Sequence, residues 1–132
     1  GKAYYSDTNF QLLGQIIERL TGDTYGAACE QRIIEPLQLK NTWLFTDTAD
    51  QRMAPLRYKR APLPIPQAMA SNGPDGGMVS TSTDLLVFLQ AFFGGQLFPP
   101  AYLAEMQNWN RIFYPLQSGM GMHLFQLPAW MT

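Results

Sequence analysis

The sequence predicts a mostly α-helical domain with an incomplete sheet edge, formed by one strand near residues 119–127. Three patterns support this fold class: an amphipathic segment from Asn9 to Leu20, a capped apolar segment from Ser80 to Gly95, and an alternating segment from Met120 to Phe125. We expect a single partial domain over residues 1–132, because a chain of this length supports one hydrophobic core.

The first predicted helix follows a strand end and a turn at residues 1–8. Its apolar positions recur at helical spacing and are Phe10, Leu13, Ile16, Ile17 and Leu20. Before them, Ser6, Asp7 and Thr8 can accept hydrogen bonds from the free backbone amides of a helix start. After them, Gly22 can adopt the left-handed conformation that ends a helix.

A second helix is predicted from Asp23 or Thr24 to just before Pro36. Proline lacks the amide hydrogen and also disfavours helix in the residue before it, so the helix cannot continue through this position. Residues 37–45 are expected to form a turn or a short extended piece. Residues 9–45 therefore hold two helices and a turn.

Residues 46–78 are predicted to form a long loop, because prolines recur along it and it ends in a glycine-rich bend. So long a connection is usually functional or disordered, and we expect this one to lie over or beside a site. Its first half carries four cations without an acid between residues 51 and 60, namely Arg52, Arg57, Lys59 and Arg60. These cations form either a solvated loop face or a site for an anionic substrate or lipid headgroup.

Two further helices are predicted within residues 79–110. The first has Thr81 and Asp84 at the spacing of a capping box, and a double glycine stops its apolar run. The second follows Pro99–Pro100, where proline suits a first helical turn, and it is expected to bury three side chains: Tyr102, Leu103 and Met106. Residues 111–132 are expected to be a loop and the first returning strand.

The composition excludes several classes of protein. Hydrophobic residues make up 46% and charged residues 14%, with a net charge of -1, so neither a disordered tail nor a nucleic-acid-binding surface is expected. The longest apolar run, residues 85–89, is far too short to span a membrane. A single cysteine, Cys29, and a single histidine, His123, exclude an internal disulfide and a Cys/His zinc site. We expect no cofactor.

No nucleophile motif is present in the sequence. Gly-x-Ser-x-Gly, Ser-x-x-Lys, Lys-Thr-Gly, a glycine-rich phosphate loop and His-Glu-x-x-His are all absent. His123 shares one side of its predicted strand with Phe125 and Leu127, which favours a packed or edge histidine over a catalytic one. Motifs alone therefore predict a mostly helical domain and indicate no catalytic activity.

A family resemblance carries the functional argument further. Residues 5–22, YSDTNFQLLGQIIERLTG, resemble the Tyr-x-Asn segment of the serine β-lactamase and penicillin-binding-protein superfamily, closest to its class C-like branch of esterases, D-peptidases and β-lactamases. Residues 35–42 and 76–85 resemble the next stretches of that branch in the same order. Residues 118–122 resemble the strand entry before its Lys/His-x-Gly strand. The resemblance implies the helical domain of a β-lactamase/transpeptidase-like α+β fold.

By this resemblance Tyr5 is the catalytic phenol of the family. An ordinary tyrosine, with a pKa of about 10, is a poor base at neutral pH, and neighbouring ammonium groups must lower that pKa. The phenolate can then accept the serine proton and return it to the leaving group. The residues by themselves also fit a Tyr4–Tyr5 pair that ends a strand and packs on the helix below.

Ser6 and Asp7 occupy the substrate-binding positions of the same segment, and Asp7 departs from the asparagine of the family. An asparagine amide can donate to a substrate carbonyl, whereas an ionised aspartate only accepts. We therefore expect poor β-lactam turnover and a preference for esters, peptides or a substrate that offers a donor. Asp7 also fits a helix-start carboxylate that interacts with the positive end of the helix.

The resemblance further implies a fragment of a serine hydrolase that uses an acyl-enzyme. The family places Ser-x-x-Lys upstream and Lys/His-x-Gly downstream of these residues, so the chain alone is expected to be inactive. The parent would take a small-molecule or peptide acyl substrate, in a periplasmic or secreted location. An alternative is a non-catalytic helical module that binds a partner protein, and strand-like ends could also allow self-association.

Overall fold

The computed structural model describes residues 3–131, so the predictions for Gly1, Lys2 and Thr132 lie outside the described residues. The chain folds as two units, the larger one being Asp7–Phe88 and the smaller one Gly1–Ser6 with Leu89–Thr132. The expectation that both belong to one partial domain stays a prediction.

The first helix of the larger unit, α1, spans Asp7–Thr21. It begins before the predicted apolar segment, which starts at Asn9. The acidic residue in its first turn, Asp7, stabilises the positive end of the helix. Residues 3–6 before it are irregular rather than a strand end. The predicted glycine cap is confirmed, since Gly22 has a φ of +76° and its N–H donates to Glu18 O at 2.9 Å.

The second helix, α2, spans Tyr25–Cys29 and continues into a π-helical turn over Glu30–Ile34. Thr24 caps its start by accepting a hydrogen bond from Ala27 N–H at 3.2 Å, so the helix begins one residue after the later of the two predicted starts, Asp23 or Thr24. The π-helical turn, with Glu35 N–H donating to Glu30 O at 2.9 Å, is a feature that the sequence pattern does not reveal. The helical run still ends before Pro36.

The segment after α2 contains the predicted short extended piece as β1, Trp43–Leu44. The following segment, residues 46–78, is more regular than the expected loop. It contains the hairpin strands β2 (Arg57–Tyr58) and β3 (Ala61–Pro62), helix α3 (Pro66–Asn72) and a 3₁₀ turn (Gly73–Asp75). Its last residue begins strand β4 (Met78–Val79), which pairs antiparallel with β1.

Two of the prolines that predicted a loop instead occupy positions that suit regular structure. Pro66 lies in the first turn of α3, where its missing amide hydrogen leaves no bond unmade. Pro62 lies in a two-stranded hairpin, which has only edge strands. The expectation of an irregular segment was therefore wrong in these two places.

Helix α4 spans Ser82–Phe93 and begins in the larger unit. Its capping was predicted correctly: Thr81 Oγ1 accepts from Asp84 N–H at 3.2 Å, and Gly95, with a φ of +72°, follows the end. The core of the larger unit consists of small and branched side chains around one fully buried ring, namely Ala28, Cys29, Ile34, Leu39 and Phe45.

The smaller unit contains helix α5, Ala101–Met106, where the fourth helix was expected. Leu103 and Met106 are partly buried, but Tyr102 is 53% exposed, so its predicted burial was wrong. A helix of fewer than two turns buries only a narrow face, and positions i and i+3 occupy it.

Three strands follow α5 as an antiparallel meander, in the order β5 (Asn110–Phe113), β6 (Leu116–Ser118) and β7 (His123–Phe125). The expected loop from residue 111 is therefore mostly strand. The expected strand near 119–127 is shorter because Gly121, with a φ of +71°, belongs to a turn. A 3₁₀ turn over Ala129–Met131 follows. The described chain is thus helical with small sheets rather than mostly α with one strand.

Within residues 3–131, no helix has both the length and the hydrophobicity needed to cross a bilayer.

Candidate active site

The three site residues predicted from the sequence lie together at the start of α1. Tyr5 and Ser6 are the last residues before the helix, and Asp7 is its first residue. Tyr5 is 54% exposed and Asp7 is also exposed, whereas Ser6 is partly buried. A phenol and a carboxylate that are both accessible to solvent can meet a substrate directly.

The phenol ring of Tyr5 contacts the imidazole of His123, the only histidine of the chain. Their ring centroids lie 5.7 Å apart and the two planes are tilted by 52°. Tyr5 and His123 both belong to the smaller unit, although they are near opposite ends of the sequence. His123 is exposed at the first position of β7, an edge strand among the described residues, so the predicted edge position is confirmed.

The turn between β6 and β7 determines where His123 lies. Ser118 and His123 are paired across the turn, and Gly119 N–H donates to Met122 O at 2.9 Å. Met120 N–H donates to Met106 O at 3.0 Å, which anchors the turn to the end of α5. The backbone around His123 is therefore held at both the strand and the turn.

Close packing at Gly119 anchors the same turn a second time. A Cβ on Gly119 would overlap the carbonyl oxygen of Met106 and would lie 3.0 Å from Cζ3 of Trp109. Only glycine permits this approach of two backbone segments.

In the larger unit, α1 is fixed by the turn that contains residues 72–75. The Gln11 amide donates to Asn72 O at 2.6 Å and to Asp75 Oδ1 at 2.8 Å. Gly14, one turn further along α1, is buried against the ring of Pro74. These contacts hold the helix that Asp7 begins.

A groove of about 700 Å³ lies beside α1 in the larger unit. Its polar lining includes Gln11 and Glu18, and both already bond within the unit, since Glu18 Oε1 accepts from Tyr25 N–H at 2.9 Å. These two side chains hold α1 against its neighbours, which makes this groove a weaker candidate site than the Tyr5 region.

Shifted pKa values also occur away from the predicted site residues. Burial raises the pKa of the Cys29 thiol, and a hydrogen bond with Tyr25 opposes that shift. Burial and the same hydrogen bond raise the pKa of Tyr25. Both groups are therefore neutral at physiological pH, and they form a packing pair rather than a nucleophile and a base. Among residues 3–131, no cluster of three or more His, Cys, Asp or Glu side chains could hold a metal ion.

A family model described as Beta-lactamase matches residues 1–128. The chain belongs to this family. The match includes the segment with Tyr5 and the turn that positions His123, and it confirms the superfamily to which the sequence was assigned by resemblance.

Relatives within the Beta-lactamase family are hydrolases. A D-stereospecific amidohydrolase from Streptomyces is 33% identical, with a TM-score of 0.78 over 96% of this chain and 40% of that one. The D-amino acid amidase of Ochrobactrum anthropi is 30% identical, with a TM-score of 0.82 over the same shares of the two chains.

A curated relative is the D-alanyl-D-alanine-carboxypeptidase/endopeptidase AmpH of Escherichia coli, 28% identical over 104 residues. The match covers 79% of this chain but only 26% of AmpH. The chain therefore spans about a quarter of this curated relative.

Sequence reasoning placed Tyr5, Ser6 and Asp7 in the site through the family segment, and their roles remain predictions. It did not place His123 there, because nothing in the spacing of residues 5 and 123 indicates a contact. The one signal in the sequence was the resemblance of residues 118–122 to a family strand entry, because the strand that follows these residues contains His123.

Proposed function

We propose that this chain is part of a serine hydrolase that cleaves amide bonds of D-amino-acid substrates through an acyl-enzyme. The observation that carries the proposal is the position of Tyr5 directly before α1, in a Beta-lactamase-family chain similar to D-stereospecific amidases. The serine nucleophile and its lysine are supplied by parts of the protein that precede Tyr5.

Tyr5 acts as the proton carrier of the reaction. Its phenolate accepts the proton of the serine hydroxyl while the serine oxygen bonds to the substrate carbonyl carbon. The proton then passes to the departing amine, the carbon–nitrogen bond breaks, and an ester to the serine remains. Water hydrolyses this ester by the same proton transfers, which releases the acid and restores the serine.

Asp7 selects a substrate that carries a donor. Its exposed carboxylate lies two residues after Tyr5 and can only accept hydrogen bonds when it is ionised. The free α-ammonium group of a D-amino-acid amide is such a donor and carries the opposite charge. A β-lactam carbonyl, in contrast, offers only an acceptor to this position.

The role of Tyr5 is tested in the full-length protein with a D-amino-acid amide as substrate. Tyr5→Phe removes only the hydroxyl and should lower kcat by about 10²–10⁴-fold, the usual contribution of general acid–base catalysis. Tyr4→Phe is the matched control, since Tyr4 is the adjacent, 80% exposed tyrosine, and it should retain activity. Equal activity of the two variants would exclude Tyr5 as the proton carrier.

The role of Asp7 is tested by exchanging one carboxylate oxygen for an amide. Asp7→Asn should raise KM for a D-amino-acid amide and leave KM for the same substrate with an acetylated amino group unchanged. Equal effects on both substrates would exclude recognition of the ammonium group by Asp7.

A second candidate function, a helical module that binds a partner protein, has one supporting observation. Four apolar side chains of α1 are at least half exposed, namely Leu12, Leu13, Ile16 and Leu20. Exposed apolar surface of this kind marks an interaction site when it is contiguous. Leu12→Glu with Ile16→Glu should abolish partner binding in that case, whereas loss of folding in the full-length protein would show that the surface is internal.

A further inference from the structure

We infer that His123 is a positioning residue for Tyr5: its imidazole packs against the phenol ring and limits the directions in which the hydroxyl can point. This inference rests on the proposed function, because it requires that the Tyr5 hydroxyl transfers the proton. It adds to the family resemblance a residue whose role no motif in the sequence indicates.

The need for such a contact follows from the location of Tyr5. The residue precedes α1 in an irregular segment, and about half of its side chain is exposed. A side chain in an irregular segment samples several rotamers unless its neighbours restrict it. Proton transfer requires the donor and acceptor atoms within hydrogen-bond reach, so each rotamer that points elsewhere reduces the rate.

His123 can restrict the Tyr5 ring because its own backbone is fixed. It begins β7, and its partner Ser118 lies across the turn in β6. The turn is bonded within itself, from Gly119 N–H to Met122 O, and it is bonded to α5, from Met120 N–H to Met106 O. The imidazole thus extends from a strand whose preceding turn is fixed by hydrogen bonds, whereas the phenol that it contacts extends from an irregular segment.

The geometry of the pair indicates packing of rings. A centroid distance of 5.7 Å with a tilt of 52° lies within the range in which aromatic side chains attract each other. Any flat ring at position 123 can make this contact, whereas a side chain without a ring cannot. The inference therefore predicts which substitutions retain function.

The kinetic test uses the full-length protein and a D-amino-acid amide. His123→Ala should lower kcat about tenfold with KM nearly unchanged, since misplacement of a catalytic group affects the chemical step. His123→Phe should restore most of kcat, and His123→Gln should not. If His123→Gln restored kcat and His123→Phe did not, a polar contact rather than ring packing would position Tyr5, and the inference would be overturned.

Two comparisons test whether His123 affects kcat through Tyr5. Leu124→Ala is the matched control, since this neighbour on β7 projects to the other face of the sheet, and kcat should be unchanged. In a Tyr5→Phe background, the residual kcat should be insensitive to His123→Ala, because the hydroxyl that His123 positions is already missing. A second, equal loss in that background would show that His123 acts independently of Tyr5.

A spectroscopic measurement tests the contact without relying on activity. In full-length protein with ¹³C-labelled histidine rings, the His123 signal is assigned by its loss in His123→Ala. Tyr5→Leu should shift this signal, because the ring current of the phenol is removed, and Tyr4→Leu should not. An unshifted signal overturns the positioning role. If Tyr5→Phe instead retains full activity, the proposed role of Tyr5 fails while the ring contact stands.

Discussion

The carboxylate of Asp84 in α4 joins two parts of the larger unit that are distant in sequence. Its Oδ2 accepts hydrogen bonds from Asn41 N–H at 2.7 Å and from Thr42 Oγ1 at 2.9 Å. Asp84 is 7% exposed, and Thr42 also contacts Ser80 Oγ at 2.8 Å. The start of α4 is therefore tied to the segment before β1 through one buried acceptor.

Asp84→Asn should destabilise the protein. The substitution preserves the shape of the side chain but replaces a charged acceptor of two hydrogen bonds by a neutral amide. We expect a loss of about 1–3 kcal/mol in the free energy of unfolding, since bonds to a buried charged group are among the stronger ones. Urea titration followed by circular dichroism measures it. Glu105→Gln, at an exposed acid of α5, is the control, and an equal effect there would contradict this account.

Gly14→Ala should also destabilise the protein, although alanine is the better helix former. The intrinsic gain is about 1 kcal/mol. The new Cβ would overlap Cγ of Pro74, and overpacking of this kind typically costs about 1–3 kcal/mol. Thermal unfolding should show a lower Tm for Gly14→Ala, but an unchanged or higher Tm for Gln15→Ala, the exposed neighbour on α1. A Tm gain at both positions would mean that Pro74 can move away from the helix.

Cys29 should react slowly with thiol reagents in the folded chain. Its side chain is buried and burial raises the pKa of the thiol, so both access and thiolate concentration are low at neutral pH. Labelling by Ellman's reagent should accelerate as the pH rises and should be complete at once in guanidinium chloride. Tyr25→Phe removes the hydrogen bond that lowers the pKa of Cys29, so labelling should slow further. Rapid labelling of the folded protein at pH 7 would contradict the burial.

Asp50 should remain ionised at a lower pH than an ordinary aspartate. Hydrogen bonds from Arg52 lower the pKa of Asp50 to about 2, and the guanidinium also stacks 4.2 Å above the centre of the Trp43 ring. Because this pKa is lowered on folding, the stabilisation is present above the usual aspartate range and is lost as the pH falls through about 2. The ¹³C signal of the Asp50 carboxyl should titrate with a midpoint near that pH. In Arg52→Ala the midpoint of this titration should rise. Arg57→Ala, which removes a cation of the nearby β2–β3 hairpin, should leave it unchanged.

The sequence indicated those parts of the fold that depend on local interactions. Thr24, Thr81 and Gly22 cap helices through bonds within a few residues of themselves, so their patterns are sufficient to find helix ends. The family segment likewise located Tyr5 and Asp7, since they belong to one continuous motif.

Two local features and one long-range contact could not be found in this way. The π-helical turn after α2 has no known sequence signal, and the β2–β3 hairpin is set by strand pairing across a proline-rich stretch. The contact between Tyr5 and His123 joins residues that are far apart in the sequence, and it depends on the β6–β7 turn that positions His123. This contact requires tertiary structure, which the periodicity of the sequence does not encode.

Gly119 has a consequence for how variation in this protein would be interpreted. A side chain there would push the turn away from Met106 and Trp109, and His123 would move with it. In a survey of random variants selected for activity, we therefore expect position 119 to be as intolerant as position 5, although Gly119 has no side chain that could contact a substrate. A map of mutational tolerance would then group Gly119, which has no side chain, with the residues that take part in catalysis.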